Sequence, residues 1–137
     1  MTRDAIRSHR DLLVWQRAME LVVRVYRITT AFPADERFGL TSQLKRAAIS
    51  VPSNIAEGAA RGSKKEFAHF VSIALGSLAE VETQIDLAIR LHLTTDDAEF
   101  NEQLAAVRQP LIALRRSLAA DAAGSPRVTR NPSPVTT

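Results

Sequence analysis

Apolar side chains recur along this 137-residue chain at alternating spacings of four and three, the pattern of helices that bury one face. In the first such segment Val14, Ala18, Leu21, Val25, Ile28 and Phe32 form one stripe. Trp15, Met19, Val22 and Tyr26 form a second stripe beside it. One stripe suffices to face a bundle core. Two make a face too wide for a single partner helix, so Trp15, Val22, Val25 and Tyr26 are expected to contribute to a contact with another subunit. Gln16, Arg17, Glu20, Arg24 and Arg27 fill the opposite side, and Pro33 ends the helix near Phe32.

A second helix is predicted to start after Thr41, an acceptable N-cap, with Leu40, Leu44, Ala47, Val51 and Ile55 as its buried line. Gly62 stands where a helix C′ residue would, and Ser63-Lys64-Lys65-Glu66 reads as a capping box that opens a third helix. With no spare residues between them, these helices must form a tight antiparallel hairpin, in which residues whose numbers sum to about 125 lie level. Pro52 then faces the Ile73 region, with Gly76-Ser77 one turn further along, and Lys45 and Arg46 come level with Glu80.

The third helix repeats Phe67, Val71, Ala74, Leu78, Val81, Ile85, Ala88 and His92 without a break. From Lys64 to Leu91 it would span about 42 Å at ~1.5 Å per residue. A fourth helix, from around Thr95, carries Phe100, Leu104, Val107, Leu111, Leu114 and Leu118, with Pro110 expected to kink it. No segment alternates as a strand would. The fold expected is all-α: an antiparallel up-and-down four-helix bundle over residues 12–120. A flexible segment, 1–11, precedes it, and a disordered Pro/Ser/Thr-rich tail, 121–137, follows.

Composition narrows the chemistry. Hydrophobic residues make up 45% and charged residues 24%, as in an ordinary soluble domain. The chain has no cysteine, which excludes disulfides, thiolate nucleophiles and cysteine-ligated zinc. The first apolar cluster, Leu12 to Trp15, is too short for a secretory signal, and no run approaches the ~20 apolar residues of a membrane helix. A soluble cytoplasmic protein without membrane contact is expected. The net charge of +3 is unevenly placed: residues 1–32 carry six arginines against three acids, and residues 63–120 carry six bases against eight acids. That asymmetry suits an anionic partner, or subunits that pair basic with acidic surfaces.

The stretch from Ser50 to Gly62, SVPSNIAEGAARG, raises the sharpest chemical question. Gly58-Ala-Ala-Arg-Gly62-Ser63-Lys64 has the wrong spacing for a phosphate loop, reverses its Ser and Lys, and follows no strand. No nucleophile elbow surrounds any of the serines. Pro52 therefore reads as a kink inside a helix. It cannot donate to the carbonyl of Ala48, at a cost of about 3 kcal/mol unless Ser50, Ser53 or Asn54 compensates. Glu66 and His69 form half of a di-metal bundle motif, and no second half exists in the sequence. Glu66 as a helix cap and His69 facing solvent is the plainer reading. His92 is expected as a half-buried packing residue. No enzyme activity and no cofactor are expected.

The binding candidates are basic. Arg61, Lys64 and Lys65 surround the hairpin turn. The macrodipole disfavours cations in the first turn of a helix, yet with free backbone N–H groups they make a good phosphate contact. The competing reading is that they only solubilise the turn. Lys45 and Arg46 are further candidates, for which an ion pair with Glu80 competes with a ligand role. Aromatic residues are only 5%, which favours contacts to phosphates over stacking on bases.

Several blocks occur together in a telling order: Asp11-Leu-x-Val14-Trp15-Gln16, Phe32-Pro33-x-x-Glu36-x-Phe38-Gly39-Leu40, Gln43-Leu-Lys-Arg-Ala-Ala-Ile-Ser-Val-Pro-Ser-Asn-Ile-Ala-Glu-Gly58, then Glu66-Phe67 and Gly76-Ser77-Leu78-x-Glu80. Over residues 11–120 the chain resembles the bacterial four-helix bundle family first named for reading frames in intervening sequences of 23S ribosomal RNA genes. The accessory protein of diversity-generating retroelements is a relative. The resemblance implies a non-enzymatic homopentamer with a basic surface and a role linked to nucleic acid, RNA above all. Through that relative it also implies a protein partner such as a reverse transcriptase. Pro110 and the C-terminal tail depart from the family pattern. Two readings stay open: an oligomeric accessory protein that holds RNA or DNA by its phosphates, and an oligomeric scaffold for a protein partner with no direct nucleic-acid contact.

Overall fold

The computed structural model describes residues 8–124, which form four helices. They are α1 (Leu13–Thr29), α2 (Leu40–Ala60), α3 (Lys64–Arg90) and α4 (Ala98–Gly124). Single 3-10 turns at His9–Asp11 and Ala34–Glu36 precede α1 and α2. Residues 1–7 and 125–137, expected to be flexible and disordered, lie outside the described residues. The fourth helix runs past Asp121, where the tail was expected to begin.

Local chemistry sets the helix ends. Ser8 and Asp11 cap each other's backbone N–H groups ahead of α1. At its far end the hydroxyls of Thr29 and Thr30 donate to the carbonyls of Tyr26 and Arg27. The second helix starts ahead of the predicted cap Thr41: Gly39 is its N-cap, and Glu36 Oε1 accepts from the N–H of Leu40 at 3.3 Å. Ser63 caps α3 by accepting from the N–H of Glu66 at 3.1 Å. The box is only half formed, because the Glu66 carboxylate takes the Ser63 hydroxyl instead of the backbone. Asp97 caps α4, accepting from the N–H groups of Glu99 and Phe100.

The third helix ends on a left-handed residue. His92 has φ 62°, its N–H donates to the carbonyl of Ile89, and the N–H of Leu93 donates to that of Ala88. This is the Schellman closure normally given to glycine. His92 is accordingly exposed, not the half-buried packing residue expected, because the reversal turns it out of the heptad seam.

The helices pack as a ring. The most extensive contact joins α2 to α3, followed by α3 with α4, α1 with α2, and α1 with α4. Pairs across α2 and α3 run in opposite directions, with Ser50 against Ser77 and Gly58 against Phe67 and Phe70, close to the predicted register. The core takes Leu21 and Val25 from α1, Leu44 and Ile55 from α2, Leu78 from α3, and Phe100 and Leu111 from α4, all fully buried. Each such side chain contributes about 1.5–3 kcal/mol by leaving water.

Pro52 lies inside an unbroken α2 and is buried. Asn54 Nδ2 donates to the Ser50 carbonyl at 2.8 Å and to its hydroxyl at 2.9 Å. That hydroxyl also accepts from Ser77 Oγ at 2.8 Å. The amide thus serves Ser50, and not the Ala48 carbonyl that the proline frees. The result is a small polar knot in an otherwise apolar seam, holding α2 to α3.

Candidate nucleic-acid interface and open apolar groove

The five basic candidates fall at opposite ends of α2, with Lys45 and Arg61 about 24 Å apart along the helix. At the α2–α3 turn the charge is largely answered from within. Arg61 pairs with Glu57 at 2.9 Å, one helical turn back, and lies within 4.0 Å of Glu66. Its guanidinium also stacks 4.9 Å from the centre of the Phe70 ring. Lys64 pairs with Asp121 of α4 at 3.2 Å. Lys65 has no acidic partner among the described residues and borders a shallow hollow with Ala68, Ala119 and Ala122. Exposed pairs of this kind are worth at most about 1 kcal/mol, so a phosphate can compete for Arg61 and Lys64. Sequence reasoning missed the Lys64 pair because Asp121 comes close only through the fold, whereas the i,i+4 spacing of Glu57 and Arg61 was there to be read.

At the other end, Lys45 and Arg46 do not meet Glu80. Lys45 Nζ stands 4.6 Å over the Tyr26 ring, which draws it toward α1 and away from α3. Arg46 is exposed, and neither residue has an ion-pair partner among the described residues. Arg37 and Phe38, which were not among the candidates, belong to the same end. The Arg37 guanidinium lies 5.2 Å from the centre of the Phe38 ring. The available signal was an aromatic residue next to an arginine in the link, outside every helical stripe.

An arginine shared by two acids secures the α1–α4 contact. Arg24 Nη2 is 2.6 Å from Asp97 Oδ2 and 3.1 Å from Glu99 Oε1. The hydrogen bond from Arg24 holds the Asp97 carboxyl below the usual carboxylate range, with help from the N–H groups that Asp97 caps. The same bond to Asp97 raises the Arg24 guanidinium further above its already high value. Arg108 pairs with Glu82 between α4 and α3.

The doubled stripe of α1 divides. Val25 is 0% exposed and belongs to the four-helix core, so it is corrected from an interface residue to a core residue. Trp15 and Val22 are half-buried, and Met19 and Tyr26 are exposed. Trp15, Met19 and Val22 join Ile49, Pro52 and Ala56 of α2 to line an apolar groove open to solvent. On α3 Ile73 is exposed. About 21 Å further along the helix, past the exposed Glu80, the side chains of Leu87 and Leu91 are exposed one turn apart, the latter just beyond the helix end.

Glu66 and His69 are both exposed; Glu66 faces Ser63 and Arg61, and His69 stands edge-on to Phe70. Among the described residues, no three His, Asp or Glu side chains gather as a metal ion would need. No helix among them is long and apolar enough to cross a membrane.

No curated protein matches the chain. A family model, described as 23S rRNA-intervening sequence protein, matches residues 10–113.

Proposed function

The chain belongs to the family of 23S rRNA-intervening sequence proteins, and from that membership we propose that it is a non-enzymatic, homo-oligomeric accessory protein that associates with RNA through backbone phosphates. The observation that carries this reading is a set of exposed or half-exposed bases without an acidic partner among the described residues: Arg37, Lys45, Arg46 and Lys65. Unpaired bases exchange counterions for phosphates at little cost. Arg61 and Lys64 add weaker contacts, since a strand must first displace Glu57 and Asp121.

Two features support self-assembly. The groove between α1 and α2 and the exposed Leu87 and Leu91 at the end of α3 are different patches on one protomer. A contact of one patch with the other on the next copy is heterologous, which gives a ring when the rotation between copies closes. The pentamer implied by the family resemblance is such a ring. Repetition of the basic surface around it would make weak individual contacts add up.

Filter binding to structured RNA and to duplex DNA at two salt concentrations tests the reading, with light scattering on the same sample. Salt-sensitive binding with little sequence preference by a particle larger than one chain is expected. The internally paired turn favours the second reading, an oligomeric scaffold for a protein partner. Flow-through on heparin at low salt would support that scaffold instead.

A further inference from the structure

Phe38 stands in the link between α1 and α2 and is 88% exposed, far more than any other large apolar side chain among the described residues. The link does not use it as an anchor. Phe32 is buried in the core, and Glu36 turns inward to accept from the N–H of Leu40. Phe38 instead carries the Arg37 guanidinium over its ring, while most of the ring stays open to solvent.

A second pair of the same construction lies at this end of the bundle. Tyr26, one turn before the end of α1, is exposed and has the Lys45 ammonium over its ring. Arg46 follows Lys45 on α2, about 10 Å along the helix axis from its start. Asp35 is the exposed acid of the link. Two aromatic faces, each with a cation attached, therefore sit among three bases that no acid answers among the described residues.

We propose that this end of the α1–α2 pair binds unpaired nucleotides of single-stranded RNA, the bases stacking on Phe38 and Tyr26 and the phosphates meeting Arg37, Lys45 and Arg46. The proposal rests on the RNA-associated reading above and specifies the kind of strand and the place. Phosphate contact alone has no use for an exposed ring. A duplex hides its base faces within its own stack, whereas unstacked bases pair with aromatic rings and guanidinium planes. The low aromatic content of the chain counts for less than expected, because two of its few rings share one basic end.

Competition binding with a short labelled oligouridylate and a duplex RNA of equal length tests this. Phe38→Ala should weaken single-strand binding roughly tenfold and leave the salt slope and duplex binding unchanged, because no charge is removed. Phe38→Trp should restore the affinity, and the fluorescence of its added indole should be quenched by the oligonucleotide. Arg46→Ala should make the salt slope shallower by about one unit. Unchanged single-strand affinity in Phe38→Ala would overturn the proposal while leaving the RNA-associated reading intact. If Phe38→Ala loses oligomer mass with RNA affinity unchanged, the ring is a contact between copies and the proposal fails. Wild-type protein that binds neither RNA would sink both.

Discussion

A Cβ placed on Gly58 of α2 would stand 2.8 Å from the Cβ of Phe70 on α3 and 2.9 Å from Cδ1 of Phe67. There the bare backbone of α2 meets the Phe67 and Phe70 side chains of α3. Glycine in a helix normally gives up about 1 kcal/mol relative to alanine, so Gly58→Ala would be stabilising in open space. Here overpacking of about 1–3 kcal/mol outweighs that gain, and urea denaturation should show a less stable protein. Gly76 supplies the control, since nothing among the described residues lies within 4 Å of its added Cβ. Gly76→Ala should stabilise by about 0.5–1 kcal/mol.

Acid should loosen the junction of α1 and α4. Asp97 is held below the ordinary carboxylate range by Arg24, so its contribution is complete above the unfolded value, near 4. It is lost as pH falls through the lower folded value. Arg24 stays charged throughout, and Asp97→Asn should flatten this part of the stability profile. Thermal melts of both proteins at stepped pH measure the difference. Equal slopes below about pH 4 would assign the acid sensitivity to other carboxylates.

His92 adopts the left-handed conformation at φ 62° in a position that glycine fills without strain. Its conformational cost is about 1–2 kcal/mol, against a gain of about 0.4–1 kcal/mol from a stiffer unfolded chain. His92→Gly should therefore raise stability by about 0.5–1 kcal/mol, visible as a higher denaturant midpoint. The residue is exposed, so packing contributes little to the change.

Val22 and Val25 lie one turn apart on α1 and should fail in different ways. Val22→Glu puts a charge at the half-buried wall of the open groove, where it costs little while water reaches it and several kcal/mol once a second copy covers it. Light scattering should report a smaller particle with helicity retained. Val25→Glu puts the charge in the core and should unfold the chain itself, seen as lost circular dichroism. A Val22→Glu protein of unchanged mass would remove the groove from the assembly.

Much of the fold was legible because four amphipathic patterns, separated by proline, glycine and capping residues, admit few arrangements. Helix ends were less so where the cap was unconventional. Gly39 starts α2 through a carboxylate from the preceding turn, and His92 ends α3 in a conformation that its residue type disfavours. The site was harder to read because charge in a sequence carries no sign of its partner. Lys64 looked free until α4 brought Asp121 beside it, and for Lys45 an ion pair with Glu80 competed with a ligand role until Tyr26 claimed it. Val25 looked like one edge of a wide face, but periodicity does not say which of two neighbouring stripes faces inward.

The link between α2 and α3 has only three residues, Arg61 to Ser63, whereas Thr30 to Gly39 separates α1 from α2. Short loops close at low entropic cost, and local contacts form early. The α2–α3 hairpin, with the most extensive packing in the molecule, is thus placed to nucleate folding, and α1 to arrive late. Truncations such as Ile55→Val and Val71→Ala should slow folding, while Leu21→Ala should mainly speed unfolding. Half of the open groove belongs to α1, so the surface by which copies would recognise one another does not exist on the partly folded chain. Assembly would then be timed by the last helix to dock, and a chain stalled at the hairpin would have nothing to offer its neighbours.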